Sequence, residues 1–218
     1  MSYKGLFETA KKVQQKNNKS KIIILFDIIY CGLKYQAGYM DYYLFEMYKL
    51  NNKQLLLEEI AIQCEEISKL HPTSINTIRV ITLKGKVAAA YLRIGNHNKV
   101  VDNFNSEGLA TPVNTESGII EYPAIDKHDN LYEVHPITKI KIIGFKIPNW
   151  NKVIKLCVSA SKEIPQIGYV GWDVCVGEKD VFFIEGNEFP GHDIYQLPPH
   201  RKDGIGLYPK FKKIMEEE

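Results

Sequence analysis

Three oxygen-bearing side chains lie on two neighbouring apolar runs in the last quarter of the sequence. Asp173 lies in the run 168–176, and Glu185 and Asn187 lie in or directly after the run 181–186. Alternate residues of a β-strand face the same side, so Glu185 and Asn187 share a face. Carboxylate and amide oxygens are the hard ligands that Mg²⁺ prefers. The pattern predicts a magnesium site, with an exposed acidic strand end as the alternative.

The length of the turn between these two runs decides whether Asp173 meets Glu185. A three-residue connection places the two acids directly opposite each other, whereas a two- or four-residue connection turns one of them away. Two facing carboxylates repel each other. If they do pair, the arrangement requires a cation that neutralises them.

Two arginines are candidates to neutralise a phosphate or a substrate carboxylate through bidentate contacts. Arg79 lies in the β-rich run 75–83 and Arg93 in the run 86–94, and the two runs are joined by Lys84-Gly85, a strong hairpin signal. A two-residue turn pairs Asn76 with Arg93 and puts Arg79 on the opposite face. Only one arginine then reaches the site, unless a bulge intervenes. The alternative for either arginine is a surface or salt-bridging residue.

The elements that would carry these residues indicate an α+β protein with antiparallel hairpins. Apolar periodicity predicts helices over 39–50, 55–70 and 149–164, the second either preceded by a short strand at 55–57 or helical throughout. We expect a helical N-terminal region over 1–54 and a metal- and substrate-binding domain over 55–218, with one compact unit as the alternative. The latter region is expected to hold an antiparallel sheet flanked by helices.

Composition excludes several classes of function. The chain has 218 residues, 44% hydrophobic and 25% charged, with a net charge of +2 and lysines spread along its length, which does not favour a nucleic-acid surface. The longest apolar run, 22–29, is too short to span a bilayer, and no signal peptide is visible. We therefore expect a cytoplasmic protein without membrane insertion. No feature of the sequence indicates an oligomeric state.

Several short motifs, in order along nearly the whole chain, resemble the sugar-transfer-associated ATP-grasp family. The pattern E-x-N-x-x-P-G at 185–191, with an acid upstream, is similar to the metal-binding end of ATP-grasp enzymes of the D-alanine–D-alanine ligase type. The further motifs are C-G-L-K-Y-Q-A-G-Y-M-D-Y (31–42), H-P-T-S-I-N-T-I-R (71–79), L-R-I-G (92–95), V-D-N (101–103), H-P-I-T (135–138), I-P-N-W (147–150), G-W-D (171–173) and I-E-G-N (184–187).

The resemblance implies ATP-dependent carboxylate–amine ligation through an acyl phosphate, linked to cell-surface polysaccharide or capsule assembly. It assigns Asp173, Glu185 and Asn187 to Mg²⁺, with two ions expected, and the segment Glu58, Glu59 and Ile60 to adenine and ribose. The alternative for the acidic pair is a solvated helix face. Arg79 and Arg93 are the catalytic candidates, and the substrate is expected to be a small amino or carboxylate compound, free or sugar-linked. The candidates to bind it are Asn76, Asp102, Asn103 and Gly108.

The sequence departs from the family at two places. Gly171-Trp172 stand where many ATP-grasp relatives have an arginine before the metal aspartate, and Arg93 is the preferred substitute. The segment 51–54 is too short for the small lobe that carries a phosphate-binding lysine and a glycine-rich loop. We therefore expect the nucleotide-clamping lobe to be missing and activity to be lost with it if the lobe is essential. A non-catalytic module that binds an anionic sugar or nucleotide is the alternative.

Overall fold

The computed structural model describes residues 22–23, 26–28, 33–35, 58–59, 61–97, 102–201 and 204–217. The chain divides into two compact units, Met1–Ile60 and Ala61–Glu218. In the first unit, strand β1 (Ile22–Ile23) pairs with β4 (Glu58–Glu59), and β2 (Phe26–Ile28) pairs with β3 (Leu33–Tyr35), both antiparallel. The helix expected over 39–50 lies outside the described residues.

The second unit is built on a seven-stranded sheet in which every neighbouring pair is antiparallel. Its strands are β5 (Ile78–Leu83), β6 (Lys86–Ile94), β7 (Leu109–Pro112), β8 (Ala124–Ile125), β9 (Leu131–Tyr132), β10 (Tyr169–Val176) and β11 (Val181–Asn187), in the spatial order β11-β10-β5-β6-β7-β8-β9. The α-helices of this unit are α1 (Glu65–Ser68), α2 (Trp150–Glu163) and α3 (Tyr208–Glu216). This architecture confirms the α+β prediction.

The prediction of a helix over 55–70 is wrong for most of that range. Residues 58–59 form a strand, and α1 keeps only one helical turn. Cys64 is extended, and its backbone N–H donates to the Val176 carbonyl at the end of β10 (2.7 Å), while the Gln63 side chain donates to the carbonyls of His71 and Ser74. These tertiary hydrogen bonds outweigh a helical preference that is small for each residue.

Helix α2 covers one face of the sheet, as its sequence pattern predicts. Val153 and Cys157 are fully buried in the same core as Val174 of β10 and Leu92 of β6. Trp172 also belongs to this face, where its indole N–H lies 2.9 Å from Thr82 Oγ1 and 3.1 Å from Ser161 Oγ. This face is therefore a packed core that fixes the central strands.

The C-terminal segment covers part of the opposite face. Tyr195 and Ile214 are buried in a second cluster with Ile81, Ala89 and Tyr91. The polar residues of interest share this face, because alternate residues of each strand point to one side. Among the described helices, none combines the length and apolar character that a membrane-crossing segment needs.

The contact between Gly118 and Trp150 at the start of α2 gives a test of this packing. A Cβ on Gly118 would lie 2.4 Å from Trp150 Cγ, whereas a Cβ on Gly144 would meet nothing within 4 Å, and both glycines have a left-handed φ (+73° and +85°). We expect Gly144→Ala to cost only the left-handed strain, ~1–2 kcal/mol. Gly118→Ala should cost a further ~1–3 kcal/mol because the core is overpacked. Urea unfolding of both variants measures the difference, and equal costs would contradict the packing described.

Candidate functional site

Four polar side chains form one row across four neighbouring strands, from the edge strand β11 to β6. Asp173 of β10 pairs with Glu185 of β11 on one side and with Arg79 of β5 on the other, and Arg79 pairs with Tyr91 of β6. Residues directly opposite each other in an antiparallel sheet share a face, with Cβ atoms about 5 Å apart. The row therefore brings two acids and an arginine into contact distance.

A bulge in β11 sets the pairing of Asp173 with Glu185. Val176 pairs with Val181, so the connection has four residues, and this length alone would turn Glu185 away. The register shifts by one residue between Asp173 and Val174, which leaves Ile184 as the extra residue in β11. The pairing expected from a three-residue turn is thus reached with a four-residue turn and a bulge.

A second bulge lies in the β5–β6 hairpin. Lys84-Gly85 form the expected two-residue turn, with positive φ at both positions (+48° and +73°) as a type I′ turn requires. The register then shifts by one residue between Ile81 and Thr82, where Ala88 is the extra residue in β6. This bulge changes the partners of every residue farther along the two strands.

The shifted register brings both arginines to one face. The Arg93 backbone N–H donates to the Thr77 carbonyl (2.9 Å), and Arg79 pairs with Tyr91. The pairing of Asn76 with Arg93 expected from the turn length is wrong by one residue. Arg93 and Arg79 therefore lie on the same side of the sheet, diagonal to each other across the hairpin.

The two guanidinium groups converge on Asp173, whose side chain is 1% exposed. Arg79 Nη2 donates to Asp173 Oδ2 (2.9 Å) and its Nε contacts Oδ1, while Arg93 Nη2 lies 3.1 Å from Oδ2. Arg79 Nη2 also lies 3.9 Å from Glu185 Oε1, and Arg93 Nη2 lies 3.4 Å from Asp102 Oδ1. We call Arg79, Arg93, Asp102, Asp173 and Glu185 the arginine–carboxylate cluster.

Burial and charge act against each other in this cluster. Burial raises the pKa of Asp173 to about 6, although Arg93 and Arg79 both act to lower it. Burial disfavours the charged Arg93 guanidinium, but the carboxylates of Asp102 and Asp173 outweigh this effect and raise its pKa. The hydrogen bond from Asn187 lowers the pKa of Glu185, which keeps that carboxyl ionised at neutral pH.

Glu185 and Asn187 offer open oxygen ligands to a cation but form no closed cage. Both oxygens of Asp173 contact arginine side chains, Oδ1 that of Arg79 and Oδ2 those of Arg79 and Arg93. Arg93 Nε is buried without a hydrogen-bond partner, and Asn187 Nδ2 donates to Glu185 Oε1 (3.1 Å). Within the described parts of the chain, no group of three or more His, Cys, Asp and Glu residues could hold a metal ion. Mg²⁺ commonly uses one or two protein carboxylates and takes its other ligands from water and phosphate. Glu185 and Asn187 fit a site of that open kind, and Asp173 fits it if a metal displaces one of its arginine contacts.

Three predicted substrate residues form one turn beside Arg93. Asp102 Oδ2 accepts the Thr77 N–H (2.8 Å), and Asn103 caps the 3₁₀ turn that follows it with its side-chain oxygen. Gly108 closes the turn by donating its N–H to the Asn103 carbonyl (3.1 Å). A Cβ on Gly108 would lie 2.2 Å from the Asp102 carbonyl oxygen, so a glycine is needed there.

Asn76 lies away from solvent. Its side chain is fully buried, and its Nδ2 donates to Gln63 Oε1 (3.0 Å) and to the carbonyls of Ile67 (3.1 Å) and His71 (3.0 Å). This placement argues against the predicted contact with substrate and indicates that Asn76 holds the start of β5.

The predicted adenine segment is described only in part. Glu58 and Glu59 form β4 of the first unit, so the helix-face alternative for them is wrong, but their side chains and all of Ile60 lie outside the described residues. Their contact with a nucleotide stays a prediction.

The sequence pattern did not reveal the role of Gly171. A Cβ there would lie 2.6 Å from Pro190 Cβ and 2.9 Å from Arg79 Nη1. Gly171 therefore leaves the space that both the Pro190 turn and the Arg79 guanidinium occupy. Its place two residues before Asp173, on the same strand face, is the signal that would have pointed to it.

Comparison with known proteins gives one family match. A family model described as sugar-transfer associated ATP-grasp matches residues 7–215. No curated protein matches the chain.

Among solved structures, the chain is similar to the ATP-grasp ligase PsnB complexed with precursor peptide PsnA2 and AMPPNP (12% identity, TM-score 0.48, 94% of this chain and 49% of that chain). It is also similar to PsnB complexed with a minimal precursor (10% identity, TM-score 0.49, 94% and 51%) and to PsnB complexed with minimal precursor, Mg and ADP (11% identity, TM-score 0.45, 94% and 49%). The chain spans about half the length of these proteins.

The raised pKa of Asp173 predicts an acid titration near neutral pH. Its folded-state pKa of about 6 lies above the ordinary value of 3.8, so Asp173 contributes stability below pH ~4 that is lost as pH rises through about 6. In ¹³C NMR of side-chain carboxyls, we expect a signal that titrates near pH 6 and is missing in Asp173→Asn. A midpoint below 4 would show that the arginines outweigh burial.

The space at Gly171 predicts a second effect on the same titration. Gly171→Ala should push Arg79 away from Asp173, destabilise the fold by ~1–3 kcal/mol and move the Asp173 titration above its wild-type midpoint. Gly168→Ala is the matched control, because a Cβ there meets nothing within 4 Å. Urea unfolding and the same NMR titration measure both variants. An unchanged midpoint in Gly171→Ala would contradict the assigned role.

Proposed function

This chain belongs to the sugar-transfer-associated ATP-grasp family, as its motifs predicted, and from that premise we propose that it is an ATP- and Mg²⁺-dependent ligase-like protein. The reaction class proposed is carboxylate–amine ligation through an acyl phosphate. The observation that carries the proposal is the arginine–carboxylate cluster, in which two acids on adjacent strands lie against two buried arginines.

Asp173, Glu185 and Asn187 are proposed to hold the metal. They supply two carboxylates and one amide oxygen, and Glu185 is half exposed while Asp173 is buried, so the donors lead from the protein interior to solvent. These residues would hold the Mg²⁺ close to the nucleotide, and its positive charge would offset the negative charge of the phosphates. We propose two ions, as the resemblance to the family implies.

Arg79 and Arg93 are proposed to stabilise negative charge on the phosphate and the acyl phosphate. Both guanidiniums are largely buried, and in a low-dielectric site a fixed charge acts more strongly than in water. Arg93 Nε is a buried donor without a hydrogen-bond partner, so it can donate to a phosphate or carboxylate oxygen. Arg93 thereby supplies the charge that many relatives supply from the position before the metal aspartate.

The remaining assignments follow the family pattern. We propose that the segment 58–60 contacts adenine and ribose, and that the Asp102–Gly108 turn, beside Arg93, faces the substrate. The substrate proposed is a small amino or carboxylate compound, free or sugar-linked, and the setting proposed is cytoplasmic assembly of a cell-surface polysaccharide such as a capsule. The polysaccharide link is supported by the description of the family.

A second function competes with ligation. The segment 51–54 is too short for a nucleotide-clamping lobe, and without such a lobe water reaches an acyl phosphate. Arg93 Nε, a buried donor without a partner, can bind an anion whether or not turnover follows. The chain then acts as a binding module for an anionic sugar or a nucleotide.

Titration of Mg·ATP by calorimetry tests the proposed site. We expect binding by the wild-type chain and affinity about tenfold or more weaker in Glu185→Gln, because one metal ligand loses its charge. Glu188→Gln is the matched control: it removes an equal charge three residues away, outside strand β11, and should change the affinity less than about twofold.

Three results separate the two functions. No binding by wild type at millimolar nucleotide contradicts the ligase proposal. Binding with ADP release in the presence of one amine and one carboxylate compound supports it. Binding without ADP release across a panel of amino acids and amino sugars favours the binding module.

A further inference from the structure

Two sequence motifs, H-P-T-S (71–74) and H-P-I-T (135–138), have no part in the function proposed above. We propose that their histidines, His71 and His135, are positioning residues that hold the end of strand β6 and thereby fix Arg93 and Asp102. The inference rests on the proposed function only where it takes Arg93 as the group that meets phosphate.

His135 holds the first residue after β6. Its Nε2 lies 2.8 Å from the Gly95 carbonyl oxygen, and its Nδ1 accepts the backbone N–H of Thr138 (3.2 Å). The imidazole must therefore be neutral with its proton on Nε2, because one nitrogen donates and the other accepts. Burial lowers the pKa of His135 and favours this neutral form. Thr138 Oγ1 in turn donates to the Leu70 carbonyl (2.9 Å), which ties the second motif to the first.

His71 holds the same segment two residues farther on. Its Nε2 lies 2.9 Å from the His97 carbonyl oxygen, and its Nδ1 lies 2.8 Å from Ser74 Oγ. The His71 and His135 rings are neighbours, with centroids 5.7 Å apart. We call His71 and His135, with the Gly95 and His97 carbonyls that they face, the histidine clamp.

The clamp closes tightly around Gly95. A Cβ at that position would lie 2.1 Å from Ser74 Oγ and 2.2 Å from His71 Nδ1. Gly95 N also lies 3.4 Å from Asn76 Oδ1. The backbone after β6 is thus fixed by polar contacts from two segments, 71–76 and the loop that holds His135, and it can approach them only because residue 95 has no side chain.

The clamp reaches the arginine–carboxylate cluster through two short connections. Arg93 lies on β6, two residues before Gly95, which directly follows the strand. A hydrogen bond that fixes the Gly95 carbonyl therefore also fixes the end of β6 that carries Arg93. The second connection runs through Asn76, whose side chain donates to the His71 carbonyl, and the next residue, Thr77. The Thr77 N–H donates to Asp102, and the Thr77 carbonyl accepts the Arg93 N–H. Displacing the clamp therefore moves both partners of the Arg93–Asp102 contact.

Burial distinguishes this role from direct contact with a ligand. His71 is 2% exposed and His135 is fully buried, and the ring nitrogens of both face protein atoms. Groups held in this way act on a reaction through the residues that they orient.

Two polar substitutions at His135 separate the effect of the donor at Nε2 from that of the acceptor at Nδ1. In His135→Gln the amide nitrogen takes the place of Nε2 and still donates to Gly95. In His135→Asn the shorter side chain can accept from Thr138 N but cannot reach the Gly95 carbonyl. His200→Leu is the matched control, since His200 is a buried histidine whose Nε2 also faces a backbone carbonyl, that of Pro123 (2.8 Å), in another part of the unit.

The first readout is the Arg93 Nε–H signal in ¹⁵N NMR of the full chain, assigned through Arg93→Lys. We expect His135→Asn to shift this signal and to speed its exchange with solvent about tenfold or more, while His135→Gln and His200→Leu leave it close to wild type. The second readout is Mg·ATP affinity, expected to fall about tenfold in His135→Asn alone.

Three outcomes would overturn the inference. They are an unchanged Arg93 signal in His135→Asn, an equal change in His135→Gln, and an equal change in His200→Leu, which would indicate general destabilisation. If His135→Asn does not fold, the corresponding pair His71→Asn and His71→Gln gives the same test at the His97 carbonyl. If wild type binds no Mg·ATP but the Arg93 signal responds as expected, the positioning role stands and the proposed function fails.

Discussion

A carboxylate buried in the middle of a sheet is the constraint on which much of this structure depends. An ionised group removed from water is costly unless it is paired and hydrogen-bonded, and Asp173 is almost completely buried. Arg79 and Arg93 provide the pairing, and each of them must in turn be brought to the right face of its own strand. The pKa of Asp173 is still raised to about 6, so the pairing does not fully offset burial. A further positive charge near Asp173 would therefore favour its ionised form.

Two β-bulges, one in β11 and one in β6, bring the partners of Asp173 to its face of the sheet. The sequence alone could not predict either bulge. The acids, the arginines and the Lys84-Gly85 turn are visible in the sequence, because residue type and turn chemistry are local properties. A bulge depends on how two strands pack against the rest of the sheet, so Ala88 and Ile184 carry no local mark of their role. Each shifts the register by one residue and moves a functional side chain to the other face. The pairing of Asp173 with Glu185 could thus be proposed from the sequence, whereas the convergence of both arginines could only be left open.

The extent of the helix predicted over 55–70 was a second feature that the sequence could not determine. Apolar spacing between 55 and 70 favours a helix, but the structure keeps only Glu65–Ser68, because Cys64 and Gln63 are bonded to other segments. By contrast, α2 follows its periodicity closely, since its apolar stripe, with Val153 and Cys157, packs on the sheet. Periodicity therefore predicted the element whose stability comes from packing and failed where polar tertiary bonds decide the backbone.

The same distinction explains why the roles of Asn76 and the two histidines were hard to assign. In a sequence, a polar residue that binds a ligand and one that supports such a residue have the same types and lie in the same motifs. Burial and hydrogen-bond direction separate them. Arg93 keeps a donor without a partner, whereas the polar atoms of Asn76 and His135 face protein donors and acceptors. A motif such as H-P-T-S-I-N-T-I-R thus combines backbone support at His71 and Asn76 with the ion pairs of Arg79. The support is polar because the strand ends that it holds present backbone carbonyls, and those can be bonded only by donors.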